Sequence, residues 1–200
     1  MPMEPCSLTE RRRFTVLFVL GSTAWLGQGD RLQFFAREYS LVHFSVGDNL
    51  RTWMKANRDT PLASTIQDRL DNQGFLTSSE LNPFLGLAVE DAMQQKNVKG
   101  IVIDGFPSCD AKPDVVLLVN VARDKAETRY LARARDRNDS ADKFARRFAE
   151  YLEEGPVVEK HYREAGLLVE IDNNGTKEES IAMLQKKLGE SSLWRSAVVD

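Results

Sequence analysis

Phe14-Thr15-Val16-Leu17-Phe18-Val19-Leu20-Gly21-Ser22-Thr23-Ala24-Trp25-Leu26-Gly27-Gln28-Gly29-Asp30 runs from an apolar, β-branched stretch into a glycine-rich turn, and a helical pattern over Asp30–Glu38 follows. A strand, a glycine-rich turn and a helix start together aim backbone N–H groups at a phosphate. The complete phosphate loop, Gly-x4-Gly-Lys-Ser/Thr, adds a lysine for the β/γ-phosphates and a hydroxyl for magnesium. Here five residues instead of four separate Gly21 from Gly27, Gln28 stands in the lysine position and Asp30 in the hydroxyl position. A strand-to-helix turn with incidental glycines explains the stretch equally well. A secretory signal is a third reading, because Arg11-Arg12-Arg13 precedes it. Against that, the most apolar part is only Val16–Leu20, it runs straight into glycines, and no small-x-small cleavage pattern follows.

Working outward, short apolar runs recur at Phe14–Leu20, Val42–Ser45, Gly100–Asp104, Asp114–Val121 and Leu167–Asp172. Ile101-Val102-Ile103 and Val115–Val119 are apolar throughout instead of alternating, as expected of parallel strands covered by helices on both faces. Between and after them, Asp30–Glu38, Asp48–Ala56, Ser64–Asn72, Ser79–Lys96, Lys125–Arg133, Asp142–Leu152 and Lys177–Leu188 read as helices. Ser78 or Ser79 can cap the fourth, and Thr176 with Glu179 has the capping-box spacing for the last. The pattern predicts a three-layer α/β fold with a five-stranded parallel sheet. The ends, 1–12 and 190–200, including Trp194, are expected to be mobile. With 42% hydrophobic and 28% charged residues in a 200-residue chain, disorder and disulfide scaffolds are excluded. A net charge of −3 gives no general reason to expect nucleic acid or a membrane surface as partner, so any anion site is local. Cys6 and Cys109, without a Cys-x-x-Cys or a neighbouring histidine, fit reduced cytoplasmic thiols and not a metal site.

Three further segments change the weight of the glycine-rich turn. His43-Phe44-Ser45-Val46-Gly47-Asp48-Asn49-Leu50-Arg51, Asn72-Gln73-Gly74-Phe75-Leu76-Thr77 and Gly100-Ile101-Val102-Ile103-Asp104-Gly105-Phe106-Pro107 resemble, in order and spacing, segments of the nucleoside-monophosphate kinases, the adenylate kinase and UMP/CMP kinase family. The resemblance extends through the arginine-rich stretch from Arg133 and covers roughly residues 14–188. It implies a P-loop NTPase-like core, about 14–47 and 97–188, a monophosphate-binding insert at about 48–80 and a short lid at about 133–141. By the same resemblance, Gly21, Gly27, Gln28, Gly29 and Asp30 form the donor phosphate loop for ATP. Arg51 holds the acceptor's α-phosphate, Ser45 and Val46 lie beside its base or sugar, and Leu76, Gly105 and Phe106 line the same side. Asp104 organises magnesium-bound water. Arg133, one of Arg135 or Arg137, and Arg147 close over the transferring phosphoryl group, steadied by Asp139. Phosphoryl transfer asks mainly for positive charge around the equatorial oxygens, and nine Lys/Arg against five acidic residues between Arg123 and Arg147 supply it.

The departures from the family pattern all fall where phosphate or base would be touched. Besides Gln28 and Asp30, Ser108-Cys109-Asp110 replaces the arginine and the base-reading glutamine that follow Asp-Gly-Phe-Pro in the family, and the lid is shorter. Asp30 could still ligate magnesium as a carboxylate. Losing one preorganised charge-stabilising donor typically lowers the rate about 10²–10³-fold, so two independent losses amount to roughly 5–8 kcal/mol. The expectation is a degenerate nucleoside-monophosphate kinase, monomeric and cytoplasmic, that binds nucleotide with weak or no phosphotransfer. The alternative is an active ATP- and magnesium-dependent enzyme.

Overall fold

The apolar runs assemble into one sheet in the computed structural model, which describes residues 14–21, 29–72, 76–105, 111–132 and 140–199. The strands are β1 (Thr15–Gly21), β2 (Leu41–Ser45), β3 (Gly100–Asp104), β4 (Val115–Asn120) and β5 (Leu168–Asp172), all parallel in the order β2-β3-β1-β4-β5. The helices are α1 (Gly29–Glu38), α2 (Val46–Ala56), α3 (Pro61–Asn72), α4 (Ser78–Gln94), α5 (Arg123–Ala132), α6 (Ala141–Glu164), α7 (Lys177–Glu190) and the short α8 (Ser192–Trp194), which continues into a π-helical turn, Arg195–Val199. Strand residues alternate between the two faces. Leu17, Val19, Val102, Leu117 and Val119 pack under α1 and α7, whereas Phe18, Leu20, Ile101, Ile103, Val116 and Leu118 pack under α2, α3, α4 and the second half of α6. That is the expected three-layer α/β architecture. Among the described residues no helix is long and apolar enough to cross a membrane.

Local chemistry sets most boundaries. Ser45 caps α2, Thr60 Oγ accepts from Ala63 N at 3.2 Å ahead of Pro61 in the first turn of α3, and Thr176 forms the expected capping box with Glu179. The fourth helix is capped by Thr77, not Ser78 or Ser79: Glu80 reaches back to Thr77 N at 2.8 Å, which fixes the start one residue earlier.

Two further expectations are corrected. The sixth helix does not stop at Leu152 but runs through Gly155-Pro156 to Glu164. A proline inside a helix costs about 3 kcal/mol, and the burial of Val158 and Tyr162 against the sheet offsets it. Nor is 190–198 a loose end. Trp194 is 2% exposed, its ring centroid 5.4 Å from Phe35 and 4.9 Å from Tyr39, and Thr15 Oγ donates to Ala197 O. Burying Trp194, Ala197 and Val198 over the start of β1 and the end of α1 outweighs the entropy of ordering a short tail.

Candidate functional site

The C-terminal ends of β1, β2 and β3 meet at one rim, and in open parallel sheets ligands bind outside the carboxyl ends of strands. Asp104, at the end of β3, pairs in register with Val19 of β1 and Ser45 of β2. Gly21 ends β1 with φ +150°, and a Cβ there would lie 2.4 Å from Val119 O, so only glycine lets the chain leave the sheet at this point. Gly29 opens α1 after the glycine-rich stretch, and Gly105 leaves β3 with φ +92°.

Asp104 is 3% exposed, and His43 Nε2 lies 3.6 Å from its Oδ2, too far for a hydrogen bond. Among the described residues neither Asp104 Oδ1 nor His43 Nε2 has a hydrogen-bond partner, although both atoms are buried. An unsatisfied buried carboxylate oxygen calls for a donor. Water on a bound magnesium ion would supply one, and Asp104 fits that role. No group of three or more His, Cys, Asp or Glu capable of caging a metal occurs among the described residues.

Ser45, Val46 and Arg51 come together at the start of α2. Ser45 Oγ accepts from Asp48 N at 3.4 Å, and Val46 is buried in the core, which leaves its backbone, not its side chain, at the rim. The half-exposed Arg51 guanidinium pairs with Asp48 at 2.5 Å and lies over Gly47, where a Cβ would be 3.5 Å from both terminal nitrogens. The cation is thereby folded back over the first turn of α2, where backbone N–H groups also favour an anion. Leu76 is half-buried against the apolar cluster beneath α2. Arg147 is half-buried on α6. Beside it, burial pushes the Glu150 carboxyl up and Glu154 adds to the rise, while Arg147 and Arg146 pull it back down.

Gly27, Gln28, Phe106, Arg133, Arg135, Arg137 and Asp139 lie outside the described residues, as does Trp25; Asp30 is in the first turn of α1. Three cations of the Arg123–Arg147 cluster are already engaged by the fold. Arg129 donates to Asn173 O and Gly175 O, both at 2.8 Å, Lys125 donates to Asn174 O, and Arg123 sits over the Phe148 ring. Arg129 and Lys125 pin the β5–α7 turn, a role that the sequence alone does not assign. The His43–Asp104 juxtaposition escapes the sequence likewise. Strand parity puts His43 and Ser45 on one face, but which strand lies beside β2 is decided by sheet order.

This geometry can be set beside known proteins. The chain is 30% identical over 186 residues to an adenylate kinase of a Nitratiruptor species, an alignment covering 84% of this chain and 93% of that protein. The chain belongs to the nucleoside-monophosphate kinase family. Within it, UMP-CMP kinase 1 of Oryza sativa subsp. japonica is 27% identical over 175 residues, covering 82% of this chain and 69% of its own length. UMP-CMP kinase 3 of Arabidopsis thaliana is 29% identical over 164 residues, covering 76% and 77%. No family model matches the chain. Family membership agrees with the five-stranded parallel sheet and with kinase-like function.

Proposed function

We propose that this nucleoside-monophosphate-kinase-family chain binds a nucleoside monophosphate and ATP at the strand-end rim, with phosphotransfer that is weak or lost. The observation that carries the reading is Gln28, which puts a neutral amide where the donor phosphates need a full positive charge. In this reading Arg51 receives the acceptor phosphate over the first turn of α2. Asp104 would accept from magnesium-bound water through Oδ1, which has no hydrogen-bond partner among the described residues, and Gly21 and Gly29 bracket the stretch that would carry the donor phosphates. Arg147, with Arg133 and Arg137, supplies charge to the transferring group. Magnesium, when bound, screens the donor phosphates and supplies ordered water.

The second reading, an active kinase, is favoured by the retained Arg51, on α2 just beyond the end of β2, and Asp104, at the end of the adjoining β3. A coupled assay with ATP–Mg²⁺ against AMP, UMP, CMP and GMP separates the two, with Arg51→Ala as control. The degenerate reading expects turnover at least about 10³-fold below the roughly 1–100 s⁻¹ usual for kinases, with nucleotide still raising the melting temperature. Turnover within that range, abolished in Arg51→Ala, establishes the active enzyme. No thermal or calorimetric response to millimolar ATP–Mg²⁺ or to any monophosphate removes nucleotide binding altogether.

A further inference from the structure

The long helix α6 is anchored to two different cores. Its first half contributes Phe144 to a small cluster with Ala126 and Tyr130 of α5, with Phe148 packed beside it. Its second half contributes Val158 and Tyr162 to the main core under the sheet. Between the halves stands Gly155-Pro156, where the proline removes a helical N–H and with it one rung of the hydrogen-bond ladder. The backbone ladder is weakest there, and a helix bends most readily at such a point.

One side chain bridges the break. Tyr151 OH donates to Glu159 Oε1 at 2.9 Å, eight residues along the helix. Helical side chains normally lean toward the N-terminus; this ring instead lies forward over Gly155, where a Cβ would sit only 3.0 Å from two of its ring carbons. Tyr151 also ends an aromatic ladder, Tyr130 to Phe144 at 5.5 Å, Phe144 to Phe148 at 5.6 Å and Phe148 to Tyr151 at 6.1 Å between centroids. The small cluster is thus tied through Tyr151 to the half of α6 that is fixed in the main core. Arg147, Tyr151, Gly155 and Glu159 are spaced by four and share one side of the helix.

We infer that Tyr151 is a positioning residue: its bond to Glu159 across Gly155-Pro156 fixes the direction of the first half of α6 and, through it, the place of Arg147. This rests on Arg147 facing the transferring phosphoryl group, as proposed above.

The test uses the full chain with Tyr151→Phe, which keeps the ring and its packing and removes only the hydroxyl. Native-state amide exchange at Leu152–Gly155 is expected to rise about tenfold, the scale of one hydrogen bond to a charged acceptor, with Val158–Glu164 unchanged. ATP–Mg²⁺ affinity, or kcat where turnover is measurable, is expected to fall threefold to tenfold while the KM or Kd for the monophosphate holds. Adding Pro156→Ala to Tyr151→Phe restores the missing helical bond and is expected to return both readouts to wild type, whereas a merely structural tyrosine would not be rescued there. Unchanged exchange in Tyr151→Phe overturns the strap. Raised exchange with an unchanged nucleotide response, where Arg147→Ala does weaken that response, overturns the positioning role. An Arg147→Ala variant indistinguishable from wild type overturns the assignment of Arg147 and leaves the exchange data to decide the strap alone.

Discussion

Asp104 shows how much a single residue's meaning depends on its neighbours in space. In the sequence it is the last residue of an apolar run followed by Gly-Phe-Pro, which reads as a strand end and a turn in any fold. In the sheet it becomes a carboxylate 3% exposed, with one oxygen near His43 and the other without a hydrogen-bond partner among the described residues. An Asp104→Asn substitution keeps the volume and removes the charge. It is expected to lower ATP affinity measured with magnesium by tenfold or more, while ATP affinity without magnesium stays within about twofold, given that such water-mediated contacts act on the ion. Calorimetric titration with and without the metal checks this, and equal losses under both conditions would rule the magnesium role out. Glu150 carries a pH prediction. Its carboxyl is raised above its ordinary value, first by burial and then by Glu154. A raised acid binds its proton more tightly in the folded state, so its contribution to stability is complete below the unfolded pKa and is lost as pH rises through the folded one. Glu150→Gln is therefore expected to raise the melting temperature by about 1–2 °C at pH 7, on the usual scale of surface changes in a chain of this size, and to leave it unchanged at pH 3.5. Thermal melts at the two pH values decide it.

At the scale of elements, capping chemistry is legible in the sequence and long-range cover is not. The Thr176-x-x-Glu179 spacing announces the start of α7, and the structure has both halves of that box. Thr77 competes with two neighbouring serines because any of the three hydroxyls could cap, and only the reach of Glu80 back to Thr77 N selects one. Gly155-Pro156 reads as a break because local propensity is all a linear sequence offers; the burial of Val158 and Tyr162 that keeps the helix going depends on a sheet built from distant strands. The C-terminal segment looks like a loose end for the same reason. Trp194 anchors it through Phe35 and Tyr39, which lie far back in the chain at α1. Truncating a buried tryptophan typically costs about 3–5 kcal/mol. For Trp194→Ala that corresponds to a fall in melting temperature of roughly 10 °C, taking 2–4 °C per kcal/mol at this size. Differential scanning calorimetry measures it, and a shift below about 2 °C would mean the tail contributes nothing to the fold.

For the whole molecule, the runs that are apolar throughout identify a covered parallel sheet, and the order of the three kinase-like segments identifies the family. What they leave open is whether the donor half of the site still works, since that depends on a turn in which the lysine is missing and one residue has been added. The two changes act differently. In the proposed reading the missing lysine removes charge but would leave the backbone N–H groups of the glycine-rich stretch between Gly21, at the end of β1, and Gly29, at the start of α1. The added residue alters the shape on which those N–H groups depend. Gln28→Lys restores the charge alone. If the turn keeps its phosphate-cradling shape, the new ammonium group is expected to increase ATP affinity by about tenfold or more, the scale of a charge-assisted hydrogen bond. The gain should shrink as ionic strength rises, because an exposed charge is screened. The protein's net charge of −3 makes a non-specific increase in anion binding an unattractive explanation, and inorganic sulfate in place of ATP provides the control. Calorimetry on the variant and the parent chain, each with ATP–Mg²⁺ and with sulfate, reads the outcome. An unchanged ATP affinity would mean that the extra residue, and not the glutamine, is what separates this chain from a working donor site. A gain accompanied by measurable phosphotransfer would place the whole deficit in one side chain.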